Sequence, residues 1–298
     1  MGRPPPVGGP FLPLGKLHMR DIAMTQTASL ADVDAKMACI LGHGPVADAG
    51  RSHLASGGAR IRARIALSAA EGLRLPVSTA LSCAVASELL HNASLIHDDI
   101  QDGDRRRRGA DALWVSCGMA TALSAGDLMI SGANCALADH PFPAEAILLT
   151  HDAIATTIRG QAEDLASPET FDIQLRVAAR KSGPLLALPL QLSLCAAQAD
   201  GLDATAEAAR DLALAYQALD DLADRDVDLE RGTANLCLSL ERQGLRRPEA
   251  ASRLRDAAAS AIRDARRHVS RLPAATRAPF SQLADQMDRN LKEYAHAT

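Results

Sequence analysis

Two acidic clusters of identical spacing stand in this 298-residue chain, DDIQD at 98–102 and DDLAD at 220–224. Asp98, Asp99 and Asp102 occupy positions i, i+1 and i+4, and Asp220, Asp221 and Asp224 repeat the pattern. On an α-helix i and i+4 are stacked neighbours, so each cluster presents two carboxylates side by side. Each follows an apolar stretch, SELLHNASLIH or LALAYQAL, and so falls towards the C-terminal part of a helix, where the macrodipole disfavours negative charge. Crowded carboxylates repel, more so when partly buried. A bound cation reverses the sign of that penalty. Oxygen-only donors suit hard ions, and Mg²⁺ in particular binds through few carboxylates plus substrate phosphates. Either cluster alone reads equally well as a solvated helix end; two of the same spacing make coincidence a weaker account.

Cations accompany the acids. Arg105 to Arg108 follow the first cluster, and Lys181 is one of only four lysines (with Lys16, Lys36 and Lys292) among 32 basic residues. In a chain whose default cation is Arg, a Lys just before Ser182-Gly183 suits a site that wants a compact ammonium, as phosphate binding does. The plainer alternatives are a stray surface Lys and a basic turn that offsets the preceding acids.

The elements that must carry these residues read as helices. Hydrophobic residues make up 47% and aromatics 2%, so the core is built from Ala, Leu, Val and Ile, and no stretch alternates with period two. Helical patterns run over 54–74, after a Gly-rich 42–50, then over 77–102, 112–138 and 143–165, the last stopping before Ser167-Pro168. Others cover 170–199, 204–228, 247–271 and 277–296. The expected fold is all-α, a helical bundle. Residues 1–28, rich in Pro and Gly, read as a disordered leader ahead of a single domain over 29–298. A net charge of −4 gives no basic field for nucleic acid. No apolar run reaches the ~18–20 residues of a membrane span. Six scattered cysteines without a C-x-x-C pair suit reduced thiols in a cytoplasmic protein.

The stretch ELLHNASLIHDDIQDGDRRRRG at 88–109 resembles the first aspartate-rich motif of the trans-isoprenyl diphosphate synthases, H-x-x-S-L-x-H-D-D-x-x-D ending in R-R-G. YQALDDLAD at 216–224 is similar to the second motif, and SAGD at 124–127, GQAEDL at 160–165 and KSGPLL at 181–186 match in the family's order. The resemblance covers roughly residues 50–240. It implies an isoprenoid-synthase-type bundle around a central cavity, and magnesium-dependent joining of an allylic diphosphate to isopentenyl diphosphate. Asp98, Asp102, Asp220 and Asp224 would hold Mg²⁺, three ions with bound diphosphate, while Asp99 and Asp221 act as ligands or supports. Gln161 and Asp164 would line the same site. Lys181, Ser182, Gln217 and Arg107 would meet the allylic diphosphate; Arg60, Arg62, His91 and Arg108 would meet isopentenyl diphosphate. A lone histidine such as His91 is also commonly just a packed residue.

The family pattern is not complete. G-G-K-R-x-R-P reads GGARIRA at 57–63, with Ala59 where a phosphate-clamping Lys is usual, and the G-K-x-T after the second motif reads GTAN at 232–235. One lost charged contact weakens binding by roughly 1.5–3 kcal/mol unless Arg60 or Arg64 substitutes. Three outcomes stay open: elongation with a rearranged site, ionisation without elongation as in a terpene cyclase, and a low-activity subunit that modulates a partner. In the family the residue five before the first Asp sets product length. Here Ala93 and then Ser94 leave that floor open, with Leu89, Leu90, Leu128 and Met129 beyond, so a C20 product is expected and C15 next. Trp114 packs near this region or in the core. The family is commonly homodimeric.

Overall fold

Small side chains set how closely the helices of this chain approach. Alanines such as Ala63, Ala66, Ala84, Ala125, Ala133 and Ala209 are fully buried, and a methyl group at a helix contact lets backbones come near without a large void. The computed structural model describes residues 27–166 and 170–297, with side chains as far as residue 294. Residues 1–26 of the expected leader, and Ser167-Pro168, lie outside the described residues.

Within that range the all-α expectation holds. The helices are α1 (Leu30–Leu41), α2 (Pro45–Ala55), α3 (Ile61–Gly72), α4 (Val77–Asp102), α5 (Leu113–Cys117), α6 (Met119–Ala136), α7 (Pro143–Leu165), α8 (Phe171–Ala196), α9 (Leu202–Ala223), α10 (Arg225–Arg231), α11 (Leu236–Arg242), α12 (Arg247–Val269) and α13 (Ala278–Ala297). A short hairpin, β1 (Arg106–Arg107) with β2 (Ala110–Asp111), follows α4. Its two-residue loop, Arg108-Gly109, has φ of 54° and 82°, and two successive positive φ values match the twist of a tight antiparallel turn.

α4 and α8, each 26 residues long, run through the middle. α4 packs on α1, α3, α5, α6 and α8, and α8 on α3, α4, α7, α9 and α11. One core joins α4 to α1, α6 and α8 through Met37, Leu89, Met129 and Leu188. A second gathers Ile65, Leu190, Leu212 and Phe280 between α3, α8, α9, α12 and α13. A third, smaller one seats α11 through Leu236, Leu222 and Leu254.

The bounds of α4 and α7 are those the sequence pattern predicts, whereas four segments differ. The Gly-rich 42–50 is largely helical, because Pro45 at the first turn is preset for a helix start. The expected 54–74 helix breaks at Gly57 and Gly58, with φ of 94° and 123°, and α3 begins only after Arg60. Gly118 (φ 84°) splits 112–138, and a break at Asp224 separates α9 from α10. Periodicity spans such breaks because the apolar stripe resumes in phase on the other side.

At Gly160, α7 lies backbone to backbone on α8: a Cβ there would come within 2.5 Å of the Lys181 nitrogen and 2.7 Å of the Arg180 carbonyl carbon. Backbone atoms cannot swing aside, so Gly160→Ala is expected to lower unfolding stability by about 1–3 kcal/mol. Urea unfolding reads this directly, and an unchanged midpoint would mean that α7 lifts from α8 without penalty.

Candidate active site

The first carboxylate cluster forms the last turn of α4, closed by Gly103 in the left-handed region (φ 72°). The three aspartates do different work. Asp99 is 1% exposed and takes Arg107 Nε at 2.8 Å, with a second contact from the same guanidinium, while its Oδ2 has no partner. Asp98 and Asp102 face outward on the side of α7 and α8. Burial pushes the Asp98 carboxyl up to about 6, against the pull of Lys181. Burial likewise raises Asp102, opposed again by Lys181.

Lys181 reaches this corner from α8. Its Nζ stands 3.1 Å from Asp164 Oδ2 and 3.9 Å from Asp102 Oδ2. Burial draws its ammonium down, but Asp98, Asp164 and Asp102 outweigh that and hold its pKa above the usual value. Gln161 Nε2 donates to Asp102 Oδ1 at 3.4 Å. The Gly160 crossing brings Gln161 and Asp164 of α7 onto Lys181 of α8. Ser182 is half-buried beside it.

The second cluster divides the same way. Asp221 is 5% exposed, and both its oxygens are engaged: Oδ1 accepts from Gln217 Nε2 and Oδ2 from the Leu236 N–H, each at 2.7 Å. Burial pushes its carboxyl up to about 7 despite those bonds. Gln217 thus serves Asp221, and Asp221 anchors the start of α11. Asp220 and Asp224 are exposed, and burial and the neighbouring Asp224 both raise Asp220. Tyr216, one turn before, feels Asp220 and Asp224 on one side and Arg62 on the other, which links the second cluster to the basic layer.

That layer is buried and polar. Arg62 Nη1 lies 3.2 Å from His91 Nε2, and burial, then Arg62, hold His91 well below its usual pKa, so the imidazole is neutral. Burial lowers Arg62 itself to about 10. Arg60 is engaged within the protein: its Nε meets Asp34 at 3.0 Å, its Nη2 donates to the Leu54 carbonyl at 2.8 Å, and its Nη1 lies 3.8 Å from Glu88. It fastens α1 to the loop before α3. Arg108 donates to the Gly57 carbonyl, and its guanidinium covers Gly58, where a Cβ would sit 2.7 Å from Cζ.

Three residues here were not singled out by the sequence: Glu88, Asn92 and His53, which are 1%, 0% and 6% exposed. Glu88 accepts from the Ala63 N–H at 3.1 Å, and burial with the surrounding guanidiniums lowers His53 to about 4. A Glu inside the apolar stretch leading to Asp98 was the available signal, since buried charges demand partners.

An apolar cavity of about 180 Å³ opens beside Asp98 and Gln161 between α4, α6, α7 and α8. Ala93, Ser94 and Leu90 line it as expected, with Ile130, Ile154 and Leu185 opposite. Leu89 and Met129 do not; both are fully buried in the α4–α6 core, on the far side of their helices. Leu128 is partly buried against that core, and Trp114 donates to the Asp104 carbonyl under Arg105, away from the cavity.

Among the described residues no three His, Cys, Asp or Glu side chains converge tightly enough to hold a metal ion by themselves. The donor set nonetheless suits a hard ion that takes its remaining oxygens from phosphate: paired carboxylates, both with the pKa raised by burial, and an Asp99 oxygen without a partner behind them.

Comparison with known proteins agrees with this geometry. Residues 43–232 match the model of the polyprenyl synthetases. The (2E,6E)-farnesyl diphosphate synthase of Mycobacterium tuberculosis is 35% identical over 173 residues, 55% of this chain and 48% of that protein. The geranylgeranyl diphosphate synthase of the same organism is 35% identical over 178 residues, 56% of this chain and 50% of that one. The aligned region thus spans about half the length of these relatives. In fold, the chain is similar to geranylgeranyl pyrophosphate synthetase from Geoglobus acetivorans, with a TM-score of 0.75 at 24% identity over 86% of this chain and 96% of that one. The chain belongs to the polyprenyl synthetase family.

Proposed function

We propose that this chain joins an allylic diphosphate head-to-tail with isopentenyl diphosphate, giving a short-chain prenyl diphosphate, with residues 29–298 acting as one synthase domain. The observation that carries this reading is the adjacency of Lys181, Asp98, Asp102, Gln161 and Asp164 to the mouth of an apolar cavity. The polyprenyl synthetases use a divalent metal, and here Asp98, Asp102, Asp220 and Asp224 would hold Mg²⁺, as three ions with the bound diphosphate. Bound there, the metal would offset the negative charge that builds on the departing diphosphate. Lys181, steadied by Asp164, meets the same phosphate oxygens. Asp99 keeps Arg107 extended towards them. Leu90, Ala93, Ile130 and Leu185 enclose the prenyl chain and keep water from the allylic cation. Six free thiols support a reducing, cytoplasmic setting.

One observation favours a second reading for the other substrate. Ala59 carries no charge and Arg60 is tied to Asp34 and Leu54, so isopentenyl diphosphate would rest mainly on Arg62, His91 and Arg108. Ionisation without elongation, or a modulating role, follows if they do not suffice. Incubation with Mg²⁺, isopentenyl diphosphate and dimethylallyl, geranyl or farnesyl diphosphate, with products read by mass spectrometry, separates the cases. A longer diphosphate is the expected product, and Asp98→Ala should reduce its formation by about a thousandfold. Alcohol or hydrocarbon formed equally without isopentenyl diphosphate would reject elongation.

Ala93, 1% exposed at the cavity wall, is the small residue on which the C20 reading rests. Ala93→Tyr is expected to shorten the product, and an unchanged product length would remove Ala93 from that role.

The working form proposed is a homodimer. α7 packs along α8 and leaves its opposite face open, with Leu148 and Ile158 64% and 61% exposed, and Ile158 also lines the cavity. Asp152 and Arg159 lie on that open face with no ion pair among the described residues. Two copies of α7 crossing antiparallel between Ala155 and Thr156 would set each Asp152 against the other Arg159, a self-complementary arrangement that a two-fold interface requires. The second copy would then cover the open side of the cavity. Asp152→Arg should shift the sedimentation profile towards monomer, and adding Arg159→Asp should restore the dimer; a dimer untouched by the single change would place the interface elsewhere.

A further inference from the structure

The transfer reaction leaves one charged feature unused, on the outer face of the β1–β2 hairpin. Neighbouring residues of a strand point to opposite faces, so while Arg107 turns in to Asp99, Arg106 turns out. There Asp104, Arg105, Arg106, Gly109 and Arg231 of α10 line a recess of about 470 Å³. Some guanidiniums of this Arg-rich chain are neutralised where they stand: Arg180, Arg225, Arg246, Arg266 and Arg271 each pair with a carboxylate.

Arg105, Arg106 and Arg231 have no such partner among the described residues. Two of them are nevertheless held in place by neutral groups. The Arg105 guanidinium lies 5.4 Å over the Trp114 ring, whose Nε1 is fixed to the Asp104 carbonyl at 2.7 Å. Arg106 Nη2 donates to the Gly109 carbonyl at 2.7 Å. The one acid of the recess, Asp104, lies 3.7 Å from Arg107. Side chains ordered without being neutralised form a preorganised anion receptor, and planar guanidiniums match phosphate oxygens in pairs.

We infer that Arg105, Arg106 and Arg231 form a second anion site, outside the candidate active site, that takes an oligophosphate such as inorganic diphosphate or a nucleotide polyphosphate. Because Arg106 and Arg107 are adjacent on β1, an anion in the recess steadies the strand that also carries the Asp99 contact. Binding there needs neither metal nor turnover, so the site stands or falls apart from the transfer reaction.

The test is equilibrium dialysis of the full chain in EDTA and about 150 mM NaCl, where exposed charges are well screened, with labelled inorganic diphosphate and labelled ATP in separate arms. Arg106→Gln with Arg231→Gln is expected to weaken binding of the preferred anion about tenfold or more, with circular dichroism and melting unchanged. Arg242→Gln with Arg255→Gln, which removes equal charge elsewhere, should leave it intact. Whichever anion binds tighter to the unaltered chain identifies the source. Equal affinity in the Arg106/Arg231 variant, or an equal loss in the Arg242/Arg255 control, would overturn the proposal.

Discussion

Everything at the candidate site depends on keeping negative charge at the end of a helix that is largely buried. α4 descends through the middle of the bundle and delivers Asp98, Asp99 and Asp102 at its C-terminal turn, where the helix dipole, burial and mutual repulsion all act against ionisation. The surrounding fold answers each of these. Lys181 from α8 and Arg107 from the hairpin bring positive charge, and Gln161 brings a hydrogen bond. These partners come from separate segments, so the cluster cannot be balanced unless α7, α8 and the hairpin are all in place. The backbone contact at Gly160 is therefore as much a part of the site as the side chains it aligns.

Within each triplet the burden is divided. The middle aspartate, Asp99 or Asp221, turns inward and binds protein: Arg107 in one case, Gln217 and the Leu236 N–H in the other. The outer pair stays open. An i, i+4 pair with an inward i+1 residue follows from helical geometry, because i+1 lies about 100° around the axis from i. The spacing thus yields one inward anchor and two outward carboxylates from three identical residues. The anchors also stiffen what lies beyond them, the hairpin after α4 and α11 after α9.

Much of this was legible in the sequence, for physical reasons that differ by residue. The helices carrying the clusters are long and strongly patterned, and α4 and α7 occupy the predicted residues. The paired spacing and the rarity of Lys marked Asp98, Asp102, Asp220, Asp224 and Lys181. What escaped was set by tertiary packing. Nothing local shows that Arg60, in a left-handed conformation (φ 51°), bends back to Asp34 and Leu54. Nor does local pattern separate Leu90, at the cavity, from Leu89, in the core, since a 100° turn of the helix decides it. Glu88 alone gave a local signal; that Asn92 and His53 share its polar layer is visible only once α2, α3 and α4 are brought together.

The same packing explains how the chain tolerates a small residue at position 59. With α3 starting at Ile61 and Arg60 fastened to α1, the loop over Gly57 and Gly58 is fixed by the protein itself rather than by a substrate. Arg108 then closes over Gly58 and donates to the Gly57 carbonyl, which only a glycine at 58 permits. Arg108 sits in the tight turn of the hairpin, two residues from Arg106 and one from Arg107. The hairpin therefore ties three things together: the Gly57 loop, the Asp99 anchor and the outward guanidiniums. A single two-residue turn, with φ positive at both positions, is what holds these groups in register, so a shift of the hairpin at any one of them must be felt at the other two.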